Sequence, residues 1–207
     1  MKQSIKKLIQ ERIQTGNLER IYFSRDFEDL ADNEQVRLAL SRLVREKVLD
    51  RVSHGIYAIN RMDPVFWNIR PSYEDVARAI AERDKITIKP TGSYALNRLG
   101  LSNQVPMKVV FMTNGESRKI KVGKHTITFK KTTPKKMAYT GKVTPLIIEA
   151  IEELGEDGLT PIMQLRLTKM LSGEDEKIVK ENIKLAPRWI GDILSSMLKS
   201  IHRVPMA

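Results

Sequence analysis

The sequence contains no cysteine and little histidine. Without thiols the chain can form no disulfide, no thiolate-ligated zinc site and no cysteine nucleophile. The three histidines, His54, His125 and His202, are widely separated and lack the spacing of metal ligands. A phosphate-binding Gly-x4-Gly-Lys-Ser/Thr loop and a Gly-x-Ser-x-Gly nucleophile elbow are also absent from the sequence. We therefore expect no enzyme activity, no metal site and no cofactor.

Long hydrophobic runs are missing as well. No segment approaches the roughly 20 apolar residues that a membrane-spanning helix requires, and the N-terminus is too charged to resemble a signal peptide. The composition, with 41% hydrophobic and 29% charged residues, is that of a globular protein. We expect a cytoplasmic protein with no membrane partner.

Acidic residues are scarce in the middle of the chain. The whole chain carries a net charge of +11, and residues 71–140 hold 14 Lys and Arg against 5 Asp and Glu. The segments on either side are close to charge balance. An excess of this size favours a polyanionic partner, because each cation placed near a phosphate releases condensed counterions.

The first sixty residues alternate between helical and strand-like patterns. Apolar residues at helical spacing predict helices over 3–14, 25–31 and 34–47. Two short strand-like runs then span residues 48–59, and Ser53-His54-Gly55 forms the turn between them. Three helices followed by a two-stranded ribbon predict a winged helix-turn-helix, in which the third helix enters the major groove of DNA.

The remainder of the chain predicts a second, mixed domain. Residues 61–71 read as a linker, and residues 107–130 predict a three-stranded antiparallel meander with Asn114-Gly115 as a tight turn. A short strand at 86–88 is expected to join this sheet. The predicted helices cover residues 73–83, 93–99, 143–154, 159–171, 174–185 and 188–200. The fold class is therefore α+β, with a DNA-binding domain at 1–62 and an α/β domain at 63–207, whose sheet lies in about 86–130 and whose C-terminal helices lie in about 143–200.

Residue types on the outer side of the 34–47 helix match those that contact DNA. Arginine donates two hydrogen bonds to guanine, glutamine forms two hydrogen bonds with adenine, and serine binds phosphate oxygens. The candidates on this helix are Gln35, Arg37, Ser41, Arg42 and Arg45, and those on the ribbon are Arg51 and His54. The alternatives are an ordinary solvated helix face and an ordinary hairpin with a charged edge.

A basic run lies on the predicted meander. Its members are Arg118, Lys119, Lys121, Lys124, Lys130 and Lys131. Strand alternation places Arg118 on one face and Lys119 and Lys121 on the other. Three uses compete: a second nucleic-acid surface, a docking surface for an acidic protein, and protection of an edge strand by lysine.

The segment Lys89-Pro90-Thr91-Gly92-Ser93 turns into a predicted helix. A helix N-terminus of this kind could hold an anion. The alternative is a capped turn with no ligand.

Several short motifs, in order, carry a family resemblance. They are Ala39-Leu-Ser-Arg-Leu-Val44, Gly55-Ile-Tyr57, the stretch from Pro90 to Ser102, Thr113-Asn-Gly115 and Ala186-Pro-Arg-Trp189. In these motifs the chain resembles the AbiEi-like antitoxin family of bacterial type IV toxin–antitoxin systems.

The resemblance implies a function for each part of the chain. It implies an N-terminal winged helix that represses its own operon at an operator inverted repeat of double-stranded DNA. It also implies a C-terminal domain that counteracts a cognate nucleotidyltransferase-like toxin, without requiring a stable complex. Carried onto this sequence, the resemblance assigns base contacts to Gln35, Arg37, Ser41 and Arg42. It assigns contacts with the DNA backbone to Arg45, Arg51 and His54.

Two other functions remain open from the residues alone. One is a protein-interaction module, and the other is an RNA-binding protein that uses the basic 118–136 segment. Only Phe129 is aromatic within 117–130, so a platform for stacking single-stranded bases has little support.

Overall fold

The computed structural model of the chain describes residues 4–16, 21–63, 67–104 and 108–203. The helices are α1 (Ile5–Thr15), α2 (Asn33–Arg45), α3 (Tyr73–Asp84), α4 (Ser93–Arg98), α5 (Pro134–Met137), α6 (Thr144–Leu154), α7 (Pro161–Leu171), α8 (Glu176–Leu185) and α9 (Arg188–Arg203). The strands are β1 (Ile21–Phe23), β2 (Leu49–Ser53), β3 (Ile56–Ile59), β4 (Arg61–Asp63), β5 (Trp67–Ile69), β6 (Ile88–Pro90), β7 (Lys108–Thr113), β8 (Arg118–Val122) and β9 (His125–Lys131). The α+β class predicted from the sequence is confirmed.

The chain divides into two compact units. The first comprises the residues up to Arg83 together with Ile120–Lys124, and the second comprises Asp84–Lys119 together with the residues from His125 onward. The first unit continues past residue 62 to α3, and the predicted boundary after residue 62 stays a prediction.

The first unit contains a three-stranded antiparallel sheet with the order β1-β3-β2. Strand β1 is absent from the sequence prediction, because three consecutive buried residues cannot show the alternation that identifies a strand. It pairs with β3, with Tyr22 opposite Tyr57. Helices α1 and α2 pack on a core that includes Ile9, Phe27 and Leu40.

The predicted short helix at 25–31 is instead a 3₁₀ turn over Ser24–Phe27. Arg12 of α1 explains the difference, because its guanidinium donates to the carbonyl oxygen of Asp26 at 2.9 Å. In an α-helix that carbonyl would accept from Leu30, whose N–H here donates to Phe27 at 3.0 Å. The same guanidinium holds both carboxylate oxygens of Asp29 at 2.7 and 2.6 Å.

The segment predicted as a linker contains a small sheet. Strands β4 and β5 pair antiparallel, with Arg61 opposite Ile69 and Asp63 opposite Trp67. The linker prediction was wrong because each strand has only three residues, too few for a recognisable pattern.

The four-stranded sheet has the order β6-β7-β9-β8. Strand β7 pairs with β9 in parallel, with Phe111 opposite Phe129, while β6 and β7 are antiparallel. The predicted antiparallel meander is therefore wrong, since β9 and not β8 lies next to β7, and the sheet is mixed.

Two features of the sequence account for this order. Strand β9 buries Ile127 and Phe129 and takes an interior position, whereas β8 carries exposed Lys119 and Lys121 and takes the edge. The Asn114-Gly115 turn does not close a hairpin with β8. Its Asn114 side chain instead accepts from the backbone N–H of Thr87 at 2.8 Å, at the end of the β6–β7 pair.

Helices α4 and α6 to α9 of the second unit pack around a hydrophobic core. Ile147, Ile151, Leu167, Ile190 and Leu194 are fully or almost fully buried in it. The four helices predicted between 143 and 200 are all present, with ends shifted by a few residues. No helix within the described ranges is both long and apolar enough to cross a membrane.

Candidate nucleic-acid interface

Helix α2 has a distinct buried face and a well-capped beginning. The Asp32 carboxylate accepts the backbone N–H of Gln35 at 2.8 Å and satisfies one of the free donors in the first turn. Val36, Leu40 and Leu43 are completely buried. Because these residues recur at helical spacing, the opposite side of α2 must face outward.

All five DNA-contact candidates on α2 lie on that outward side. Gln35, Arg37, Ser41, Arg42 and Arg45 are each exposed. Within the part of the chain that the structure describes, the guanidinium groups of the three arginines have no hydrogen bond or ion pair. Their side chains are available to a ligand, and the contacts assigned to them stay predictions.

Leu38 also belongs to this outward side and was missed by the sequence reasoning. It is 51% exposed, one of three large hydrophobic side chains that are largely exposed among the described residues, with Ile162 and Leu165. It lies three positions after Gln35 and three before Ser41, so its place on the helical wheel could have identified it.

The β2–β3 hairpin presents the two remaining candidates together. The Arg51 guanidinium donates to Nδ1 of His54 at 3.1 Å, and both side chains are exposed. Gly55 has a φ of 67°, which the left-handed turn requires. Tyr57 of the hairpin is buried and packs in the core of the first unit.

The predicted second basic surface separates into free and paired cations. Lys119, Lys121, Lys124 and Lys130 are exposed, and their ammonium groups have no side-chain partner within the described ranges. Lys131 instead pairs with Glu116 at 2.7 Å, and its ammonium holds the pKa of that carboxyl below its usual range.

Arg118 differs from these lysines because it is part of the sheet's packing. Its guanidinium forms an ion pair with Asp84 and lies over the ring of Phe129, 5.1 Å from the centroid. Strand alternation predicts this separation of Arg118 from Lys119 and Lys121. We therefore expect Arg118 to contribute little to a ligand surface.

The Lys89–Ser93 turn binds the protein's own carboxylate and carbonyl groups. The Thr91 hydroxyl donates to Glu149, which is only 3% exposed and whose pKa is raised by burial. Lys89 donates to the backbone carbonyls of Met137 and Tyr139, and burial lowers its pKa. These contacts favour the capped turn over an anion site.

Metal chemistry finds no support in the described ranges. No group of three or more His, Asp or Glu side chains there is arranged to hold a metal ion.

Comparisons with known proteins give a family and a distant structural likeness. The sequence profile of a family described as a family of unknown function, DUF6088, matches residues 8–179. No curated protein matches the chain. The crystal structure of the RV2827C protein from Mycobacterium tuberculosis is similar at 12% identity, with a TM-score of 0.43 over 95% of this chain and 82% of that one. A likeness this distant carries no argument about function.

Proposed function

We propose that this chain, which belongs to the DUF6088 family of unknown function, is a cytoplasmic DNA-binding autorepressor and the antitoxin of a type IV toxin–antitoxin system. The observation that carries the DNA-binding part is the outward side of α2. Three arginines that have no partner among the described residues, a glutamine and a serine share it. Side chains of these types read base edges and hold phosphates in protein–DNA complexes.

The arrangement around α2 supports a winged helix-turn-helix. The first unit begins with the order α1, β1, 3₁₀ turn, α2, β2, β3, and β3 lies between β1 and β2 in the sheet. In that type of domain the last helix enters the major groove while the hairpin approaches the backbone or minor groove. The side chains that would then contact bases are Gln35, Arg37, Ser41 and Arg42. Those that would contact the DNA backbone are Arg45, Arg51 and His54.

The antitoxin part rests on the resemblance in sequence motifs. The residues from Pro90 to Ser102 all belong to the second unit, and Thr91 among them donates to Glu149. We propose that the second unit counteracts a nucleotidyltransferase-like toxin encoded next to this chain, with no stable complex required.

Co-expression tests the antitoxin role directly: the chain should restore growth to cells that express the neighbouring gene product. Continued growth arrest would refute the antitoxin role and leave DNA binding intact.

The DNA-binding part is tested with the segment directly upstream of the chain's own gene. The full chain should protect an inverted repeat there from nuclease digestion and bind it about 10³-fold or more tightly than a scrambled duplex. Affinity should fall steeply with salt, because bound arginines release counterions from phosphates. Equal affinity for the scrambled duplex would show that no base is read.

A second candidate function uses the basic 118–136 segment. It is favoured by four exposed lysines whose ammonium groups have no side-chain partner in the described part of the chain: Lys119, Lys121, Lys124 and Lys130. They would bind RNA or an acidic protein partner in place of an operator. Gel shifts that compare single-stranded RNA with the upstream duplex separate the two candidates, since RNA binding alone would leave the duplex unbound.

A further inference from the structure

Helix α2 exposes one large apolar side chain on an otherwise polar surface. Leu38 is 51% exposed, whereas Val36, Leu40 and Leu43 of the same helix are fully buried. Leu38 therefore does not belong to the apolar stripe that packs on the core. Single exposed leucines are common on protein surfaces, so exposure alone gives Leu38 no role.

The neighbours of Leu38 distinguish it from an ordinary surface leucine. Residues three and four positions apart are adjacent on a helix surface, which places Leu38 against Gln35, Ser41 and Arg42. All three are exposed and point from the same side of α2. Leu38 therefore lies among the groups proposed to contact bases.

The major groove offers one apolar group to such a side chain. Each base pair presents hydrogen-bond donors and acceptors there, and only thymine adds a methyl group, at C5. A leucine in contact with a polar base edge would desolvate that edge without giving it a hydrogen bond, which is unfavourable. A leucine in contact with a thymine methyl buries apolar surface on both sides.

We propose that Leu38 contacts the C5-methyl group of a thymine and so specifies an A·T pair in each half-site. This inference rests on the proposed function, since it requires α2 to lie in the major groove. It adds apolar recognition of one base to the hydrogen bonding of its neighbours. The A·T pair that Leu38 would contact lies next to a base pair contacted by Gln35 or Arg42, because these two side chains lie about one helical turn from Leu38.

The experiment removes the methyl group from DNA and the leucine from the protein separately. A duplex is first selected by the full wild-type chain from a random pool, and each thymine is then replaced singly by deoxyuridine, which lacks only the methyl group. For the wild type, one deoxyuridine per half-site should weaken binding by about fourfold, the ratio that corresponds to about 0.8 kcal/mol for one buried carbon group. Leu38→Ala should bind the thymine and deoxyuridine duplexes equally.

Leu165→Ala is the matched control, because it truncates another exposed leucine, 74% exposed in α7, that is not among the proposed DNA contacts. It should keep the preference for thymine. Alanine is a good helix former and Leu38 is not in the core, so Leu38→Ala should melt like the wild type.

The outcomes separate the inference from the function on which it rests. A selected duplex that tolerates deoxyuridine at every position, or a thymine preference that survives Leu38→Ala, would overturn the role of Leu38 while DNA reading stands. A wild-type chain that selects no duplex over scrambled DNA would overturn both.

Discussion

Arg42 is the side chain whose replacement tests the proposed base recognition by α2 at the residue scale. It is exposed on the outward side of the helix and has no partner within the described ranges. Arg42→Ala should weaken binding to the preferred duplex by about 1–3 kcal/mol and relax specificity at one position. Arg42→Lys should not restore the affinity or the specificity, because an ammonium group cannot form the two parallel hydrogen bonds that a guanidinium donates to guanine. Fluorescence anisotropy against preferred and scrambled duplexes measures both effects.

Arg188→Ala is the control for Arg42→Ala. Arg188 is exposed at the start of α9 in the second unit, and its replacement removes the same charge. It should leave the ratio of the two affinities unchanged. Equal losses for Arg42→Ala and Arg188→Ala would mean that Arg42 supplies only general charge.

At this scale the sequence predicts exposure better than pairing. Helical periodicity was enough to place Gln35, Arg37 and Arg42 on the outward side of α2. It could not reveal that Arg118 is engaged by Asp84, because that partner is 34 positions away in the chain. Ion pairs between distant residues depend on tertiary structure that a local pattern does not encode.

Helix α6 begins without a cap of its own and takes one from another element. Val143 at its N-cap has no side-chain cap, and the loop between α7 and α8 supplies Glu174. The Glu174 carboxylate accepts from the backbone N–H groups of Val143 at 2.7 Å and Thr144 at 3.0 Å. Partial burial alone would raise the pKa of Glu174, but its hydrogen bonds from Thr144, Val143 and Lys142 outweigh that effect and lower the pKa.

Glu174→Ala should destabilise the chain at neutral pH by about 1 kcal/mol, the usual cost of losing an N-cap. A carboxyl group with a lowered folded-state pKa stabilises the fold above its unfolded-state pKa, and this contribution is lost as the pH falls through the folded-state value. The stabilities of wild type and variant should therefore converge in acid, as measured by urea unfolding across pH. A difference in stability between wild type and variant that persists in acid would contradict this role of Glu174. The affinity for DNA should be the same for both chains and serves as the control measurement.

At the scale of elements the sequence predicts helices well and strand order poorly. The helices α6 to α9 follow from apolar periodicity and from Pro161 and Pro187. The position of β9 beside β7 does not, because local turn signals at Asn114-Gly115 favour a hairpin while burial of Ile127 and Phe129 favours an interior strand. Burial decided the outcome, and burial is a property of the assembled sheet.

The molecule as a whole has no cysteine, which makes a single introduced thiol a unique position for a probe. Asn33→Cys lies at the exposed first residue of α2 and is not among the proposed DNA contacts. A DNA-cleaving iron chelate attached there reports which groove the helix occupies. The wild-type chain, treated with the same reagent, is the matched control because it cannot be labelled at a thiol.

Cleavage mapping from this position is the most direct test of the claim that α2 enters the major groove of a specific site. The labelled Asn33→Cys chain should cut the upstream duplex at a few positions within each protected half-site, in a pattern centred on the major groove. Cuts scattered evenly along the duplex, or no more cuts than the treated wild-type chain produces, would contradict it.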